Sequence, residues 1–207
     1  GFSREELVKL LEFLAAWSLG GERKNHRDTR LLLRDYVEIL LATGMRSGRE
    51  SMNMLWRHVQ WYVDTKSNVR YLRIWVSGKT GGRWLIAKHG AAVVFERLAI
   101  RQGIGSDLDA AIAADSEAYV FSLSSGQKPV SMHTAFEKLL ADSGMRVDPM
   151  SGKNRSLYSL RHSYATMILM DGQMDMHTLA RQMGTSVGML EQHYSKITAT
   201  MAAERLA

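Results

Sequence analysis

The chain has 207 residues, 45% of them apolar, which is enough for one substantial core or two small ones. Lys and Arg number 27 against 21 Asp and Glu, and the net charge of +6 favours a polyanionic partner. The lack of cysteine excludes disulfides, thiolate metal sites and a cysteine nucleophile, fits a reducing compartment, and is joined by the absence of any apolar run of membrane-spanning length. A chain that opens on Gly1 in place of Met is expected to be a piece of a longer protein. Met167, Met170, Met174 and Met176 fall at apolar positions of helix-like stretches and read as core filler rather than ligands.

In chain order, Ser3-Arg4-Glu5-Glu6 is a capping box, and Leu7, Leu10, Leu11 and Leu14 follow at helical spacing up to Gly20-Gly21. A polar loop from Glu22 to Arg27 is expected next. Asp28 then caps a second helix that runs to Thr43, with Gly44 just past its end. Beyond it the period changes to two. Val59, Trp61 and Val63 alternate with polar neighbours, as do Leu72, Ile74 and Val76, and Trp84 to Ala87 is a third short run. Turns at Asp64 to Asn68 and Ser77 to Gly82 make this a three-stranded antiparallel meander, with Lys79 near the second tip.

Helical patterning returns over Ala91 to Arg101, Leu108 to Ala114, and Thr134 to Ala141, the last with Ser131 as its cap and Gly144 as its terminator. Further helices are expected from Ser159 to Met170, near Met176 to Met183, and from Val187 to Ser195. Helices, a meander and more helices make one mostly helical α+β domain with a small sheet.

Chemistry enters with four residues in order: Arg46, Lys79, Arg161 and Tyr194. Arginine forks bind phosphate oxygens, a phenol can attack phosphorus, and an ammonium can protonate a departing oxygen; the set needs neither metal nor cofactor. Each residue also has a plain reading. Arg46 at a helix boundary is commonly a surface cap, and Glu50 four residues on is close enough to orient its guanidinium if that segment is helical, or equally to make an exposed ion pair. Gly78-Lys79-Thr80 ends like a phosphate-binding P-loop, but that motif needs glycine where Arg73 stands and a helix where strands flank it. Without it, Lys79 reads as a solvated turn residue. Arg161 and His162 open their expected helix, where a cation works against the dipole unless an anion docks there. Tyr194 at its spacing suits a core tyrosine with its hydroxyl at the edge.

Leu41-Ala42-Thr43-Gly44-Met45-Arg46, Leu157-Tyr158-Ser159-Leu160-Arg161-His162, and Gln182-Met183-Gly184-Thr185 with Tyr194 nine residues further resemble the tyrosine recombinase (phage integrase) family, in its C-terminal catalytic domain. The resemblance covers essentially residues 1–207. It implies that Arg46 and Arg161 bind the scissile phosphate, that Lys79 is general acid toward the 5′ oxygen, and that Tyr194 becomes linked to a 3′ phosphate. It further implies a site-specific recombinase or integrase that serves a mobile element. Such an enzyme would work as a homotetramer on duplex DNA carrying specific sites, with accessory bending or excision factors. The implied protein is cytoplasmic, associated with the bacterial nucleoid, needs no membrane, and has a separate N-terminal DNA-binding domain that this chain lacks.

Two positions depart from the family pattern. Tyr158 stands where a histidine is usual three residues before the second arginine, and Thr185 where a histidine or tryptophan is usual nine residues before the nucleophile. Both hydroxyls can donate to a phosphate oxygen, but neither replaces an imidazole as a proton acceptor. His162 and His193 offer imidazoles, yet each adjoins a proposed catalytic residue in a helix and is expected to point about 100° away from it. The proton acceptor for Tyr194 therefore stays open. Arg70, Arg73, Lys128, Lys153 and Arg155 are candidate phosphate contacts or simply solvated cations. Two alternatives remain: a type IB topoisomerase-like activity, and a DNA-binding module of the same fold with weakened catalysis.

Overall fold

The computed structural model describes residues 1–21, 23–78 and 81–194. Helix α1 (Arg4–Ser18) starts at the expected capping box: Glu6 N donates to Ser3 Oγ at 3.2 Å and Ser3 N donates to Glu6 Oε2 at 2.9 Å. Helix α2 (Lys24–Thr43) begins earlier than the sequence predicts, and Asp28 lies inside it. The Asp28 carboxylate accepts instead from the backbone N–H and hydroxyl of Ser124, both at 2.7 Å, and so caps a distant loop rather than its own helix. Gly44, at φ 65°, closes α2 as expected.

A short helix α3 (Arg49–Met52) leads into the meander of β1 (Val59–Val63), β2 (Arg70–Gly78) and β3 (Gly81–Ile86), antiparallel in the order β1-β2-β3. The second hairpin is tighter than the predicted Ser77 to Gly82 turn, since its ladder extends to the pair Gly78–Gly81. Helices α4 (Ala91–Gln102) and α5 (Leu108–Ala113) follow, the latter capped where Ala110 N donates to Asp107 at 2.8 Å. At the start of α6 (His133–Asp142), the His133 N–H donates to Ser131 Oγ at 3.0 Å.

Helix α7 (Leu157–Met170) starts two residues before the expected Ser159, because Ser156 caps it and Ser159 Oγ returns the favour by accepting from Ser156 N at 3.1 Å. Helix α8 (Met176–Met183) is capped by Asp175 and closed by Gly184 at φ 64°. Residues 187–194 are again helical, opened by Ser186, whose hydroxyl accepts from Met189 N at 3.2 Å. Among the described residues, no helix is long and apolar enough to cross a membrane.

The apolar side chains form two clusters. The larger gathers Leu10, Leu33, Tyr36, Trp56, Phe95 and Phe136 from α1, α2, the 3-10 turn Trp56–His58, α4 and α6, together with the inner face of the sheet. The smaller holds Tyr164, Ile168, Leu179, Met183, Leu190 and Tyr194. Helix α7 belongs to both: Leu157 and Leu160 pack in the first, Tyr164 to Leu169 in the second. Of the methionines read as filler, Met167 is buried whereas Met170 is exposed at the end of α7. Buried Asp35 fastens α2 to α4 by accepting from Arg97 Nε at 2.7 Å and from Arg101.

Gly44 sets the joint between α2 and α7. Besides its left-handed backbone, a Cβ there would sit 2.3 Å from the Tyr164 ring. Strain and overpacking together should make Gly44→Ala destabilising by about 2–4 kcal/mol, readable as a fall in the urea midpoint with little change in slope.

Candidate active site

Three arginines converge on the end of α8. Arg83 Nε donates to Gln182 O at 3.2 Å, Arg161 Nη2 to Met183 O at 2.7 Å, and Arg46 Nη2 to Gly184 O. Each of three consecutive carbonyls thus takes a different guanidinium. These carbonyls have no partner within the helix, and they carry the negative end of its dipole. Arg161 also donates to Gly44 O, the last carbonyl of α2, at 2.5 Å. It therefore joins the C-terminal ends of two helices.

This corrects the expectation for Arg161. Because α7 starts at Leu157, the residue lies in the second turn, only 4% exposed, and not at the positive end of its own dipole. Its pKa is drawn down by burial first and then by the Arg46 guanidinium, which shows how closely like charges are gathered.

Glu50 compensates. Both of its oxygens accept two hydrogen bonds: Oε1 from Arg46 N at 3.0 Å and Arg83 Nη2 at 2.7 Å, Oε2 from Arg46 Nη1 at 2.9 Å and Arg83 Nη1 at 3.0 Å. The carboxylate is 3% exposed, so the pair with Arg46 is a buried junction rather than the surface ion pair its spacing suggests. Burial alone would raise its pKa, but hydrogen bonds from Arg83 and from the Arg46 backbone hold it below the usual carboxylate value.

Arg83 is the residue that the sequence reading missed. A signal was present: it shares the inward register of β3 with Leu85, and an arginine on an inward face calls for a carboxylate partner. Gly184 makes room for it, since a Cβ there would lie 2.5 Å from the Arg83 guanidinium. Gln182 was equally unassigned. Its amide accepts from Ile86 N at 3.1 Å and donates to Ile86 O at 2.6 Å, which ties α8 to β3.

Arg46, Gly81, Gly82, Arg83, Gly184, Thr185 and Ser186 line one cavity. Thr185 therefore shares a cavity with Arg46 and Arg83. Lys79 lies outside the described residues; its neighbour Gly78 sits against Glu50, 3.3 Å separating a Cβ built there from Oε2. Tyr194 is 6% exposed in the smaller core, and its hydroxyl meets His162 Nδ1 at 2.7 Å. Burial, then the Tyr158 phenol, push the Tyr194 pKa up to about 12, against the downward pull of Arg161. Tyr158 is 49% exposed on α7 with its ring edge-on to His162 at 4.9 Å, and the His193 ring lies 5.6 Å from His162.

The sequence expectation is that His162 points about 100° away from Arg161. It does diverge from Arg161 on α7, but Tyr194 arrives from a different helix and meets it there.

The outlying candidates are placed elsewhere. Arg155 is buried and ion-paired with Glu6 at 2.7 Å over the Phe2 ring, so it pins α1 to the loop before α7 and is not a free phosphate contact. Arg70 pairs with Asp109 at 3.0 Å and covers Trp61. Arg73 stacks 4.6 Å from Trp84 on the outer face of the sheet, away from Arg83. Lys128 donates to Asn53 at 2.8 Å, and Lys153 is exposed.

Searches against known structures find the same architecture. The XerH site-specific recombinase, solved with a palindromic difH substrate as a post-cleavage complex, superposes with a TM-score of 0.66 at 20% identity, covering 98% of this chain and 52% of that one. The fold is that of the tyrosine recombinase catalytic domain. The Tn1549 transposon integrase in complex with transposon right end DNA gives 0.58 at 17% identity over 99% of this chain and 65% of that one. A lambda integrase dimer bound to a COC' core site gives 0.58 at 15% identity over 93% and 58%. The chain spans less than two thirds of the length of each of these recombinases. No family model matches the sequence, and no curated protein matches it.

Removing the anion from this recombinase-fold cluster leaves buried guanidiniums unpaired, and Glu50→Ala should cost about 3–5 kcal/mol of folding stability. The lowered carboxylate pKa fixes the sign with pH. The wild-type advantage over Glu50→Gln should be fully present above the unfolded value near 4.3 and shrink as pH falls through the folded value. Urea denaturation of both proteins between pH 3 and pH 7 would measure it.

Proposed function

We propose that this chain is the catalytic domain of a site-specific tyrosine recombinase that cuts and rejoins duplex DNA through a 3′-phosphotyrosine link. The observation that carries this reading is the convergence of Arg46, Arg83 and Arg161 on one helix end. Three cations face one carboxylate and two helix C-termini worth about half a charge each, leaving roughly one positive charge for an incoming anion. A phosphodiester matches that excess, and its transition state gathers further charge on the non-bridging oxygens.

In this reading Arg46 and Arg161 bind the scissile phosphate and Arg83 adds positive field from behind Glu50. Thr185 and Tyr158 donate hydrogen bonds, and Tyr194 attacks phosphorus. Lys79, between β2 and β3 in sequence, protonates the leaving 5′ oxygen. Because the ester energy stays in the phosphotyrosine, the exchange consumes no nucleotide. Lys153, Arg70 and Arg73 are left as contacts to flanking phosphates. The transposon-end and core-site complexes among the similar structures support duplex DNA as the partner and a mobile element as the setting. A homotetramer on paired sites, accessory bending or excision factors, a preceding DNA-binding domain and a place at the bacterial nucleoid belong to the same reading. An enzyme is favoured over a binding module because Tyr194 is held by hydrogen bond within the arginine-bearing seam.

The test uses a pool of end-labelled nicked duplexes with randomised cores, incubated with the chain in EDTA and resolved on a denaturing gel. A covalent adduct is expected with the wild-type chain and none with Tyr194→Phe; an adduct that survives that change would sink the assignment. Arg46→Lys should lower the rate of adduct formation by about 10²–10³-fold. Ligation of two marked duplexes, as opposed to relaxation of a supercoiled plasmid alone, separates recombination from a topoisomerase-like activity.

A further inference from the structure

The Tyr194 hydroxyl and His162 Nδ1 lie 2.7 Å apart, at the seam where α7 meets residues 187–194. A phenol buried this way is ionised only to the extent of about 10⁻⁵ at neutral pH, so attack cannot depend on phenolate formed in advance. The proton has to leave as the oxygen–phosphorus bond forms, and an acceptor must already be in contact. The positions where the family pattern offers an imidazole hold Tyr158 and Thr185, whose hydroxyls are poor bases.

We propose that His162 accepts the Tyr194 phenolic proton at Nδ1 as the phenol oxygen attacks phosphorus. This rests on the strand-transfer reading given above. Attack forms the Tyr194 Oη–phosphorus bond and breaks the bond from phosphorus to the 5′ oxygen. The phenol proton moves to His162, and the departing 5′ oxygen takes a proton from Lys79. In rejoining, the 5′ hydroxyl attacks phosphorus and gives its proton back to Lys79, the Tyr194 Oη–phosphorus bond breaks, and His162 returns its proton to the leaving phenol.

The surroundings suit an acceptor. His162 touches Tyr158 from its own helix and His193 and Tyr194 from the final helical stretch. Burial first, then the N-terminal amine of Gly1, His193 and Arg161, keep its pKa below the ordinary histidine value. The ring is therefore neutral at pH 7, and with its proton on Nε2 the Nδ1 lone pair faces the phenol. His162 diverges from Arg161 on α7, so phosphate and phenol are served by adjacent residues on different faces of one turn.

The randomised nicked-duplex pool tests this with two variants and a pH series. His162→Ala should form adduct about 10²–10⁴-fold more slowly while duplex binding stays within a few-fold. His162→Gln, which keeps a hydrogen-bonding group beside the phenol but cannot act as base, should be equally slow. The wild-type rate should climb with pH and level off below pH 6.5; both variants should keep climbing into the alkaline range as the phenol itself ionises. A 5′-bridging phosphorothioate, whose sulfur leaves without a proton, should rescue Lys79→Ala and neither His162 variant. Wild-type speed or an unchanged pH profile in His162→Gln would overturn the assignment and leave the recombinase reading intact, as would phosphorothioate rescue of a His162 variant. If the Ala variant fails to fold by thermal melt, the Gln variant decides alone. No adduct from the wild-type chain would overturn both.

Discussion

The arrangement depends on how three guanidinium groups are held together. Like charges at such range repel, and taking them out of water costs more still. The chain offsets this with one fully bonded carboxylate, Glu50, and with the bare carbonyls at the ends of α2 and α8. Those carbonyls would otherwise be unpartnered, so the arginines and the helix ends each supply what the other lacks. Every element near the site is positioned by this exchange: α3 through Glu50, β3 through Arg83, α7 through Arg161, and α8 through its last turn.

The two cores explain why the site lies where it does. The larger carries Arg46, Glu50 and Arg83, and the smaller carries the end of α8 and Tyr194. Among the described residues only α7 is built into both, and Arg161 sits in its second turn, where one packing environment gives way to the other. The proposed reaction centre at this seam draws charge from the core that holds the sheet. Its tyrosine comes from a unit fastened mainly by one shared helix, the Gln182 amide and the arginine–carbonyl contacts.

Much of the fold could be read from local chemistry. The Ser3 box, the left-handed glycine at position 44 and the period-two runs all act within a few residues of themselves, and the structure follows them. Misreadings arose where a side chain was engaged at a distance. Asp28 was expected to cap its own helix but is taken by Ser124, and Arg155 was left on the surface although Glu6 and Phe2 cover it. For the site, motif and order pointed to Arg46, Arg161 and Tyr194. Arg83 was signalled only by its inward register on β3, and the contact between His162 and Tyr194 was illegible because it depends on which face of one element meets another. The same rule of angular divergence on a helix that separated His162 from Arg161 says nothing about what a neighbouring helix delivers.

The amide of Gln182 has one more effect. By accepting from the N–H and donating to the C=O of Ile86, it occupies the outward-facing hydrogen-bonding groups that an edge strand would otherwise present. The exposed surface beside it carries Trp84 and Ile86, apolar side chains of the kind that invite strand addition from another molecule. A side-chain mimic of a strand at that edge blocks such pairing at Ile86, so the sheet resists edge-to-edge aggregation there without a charge or a proline.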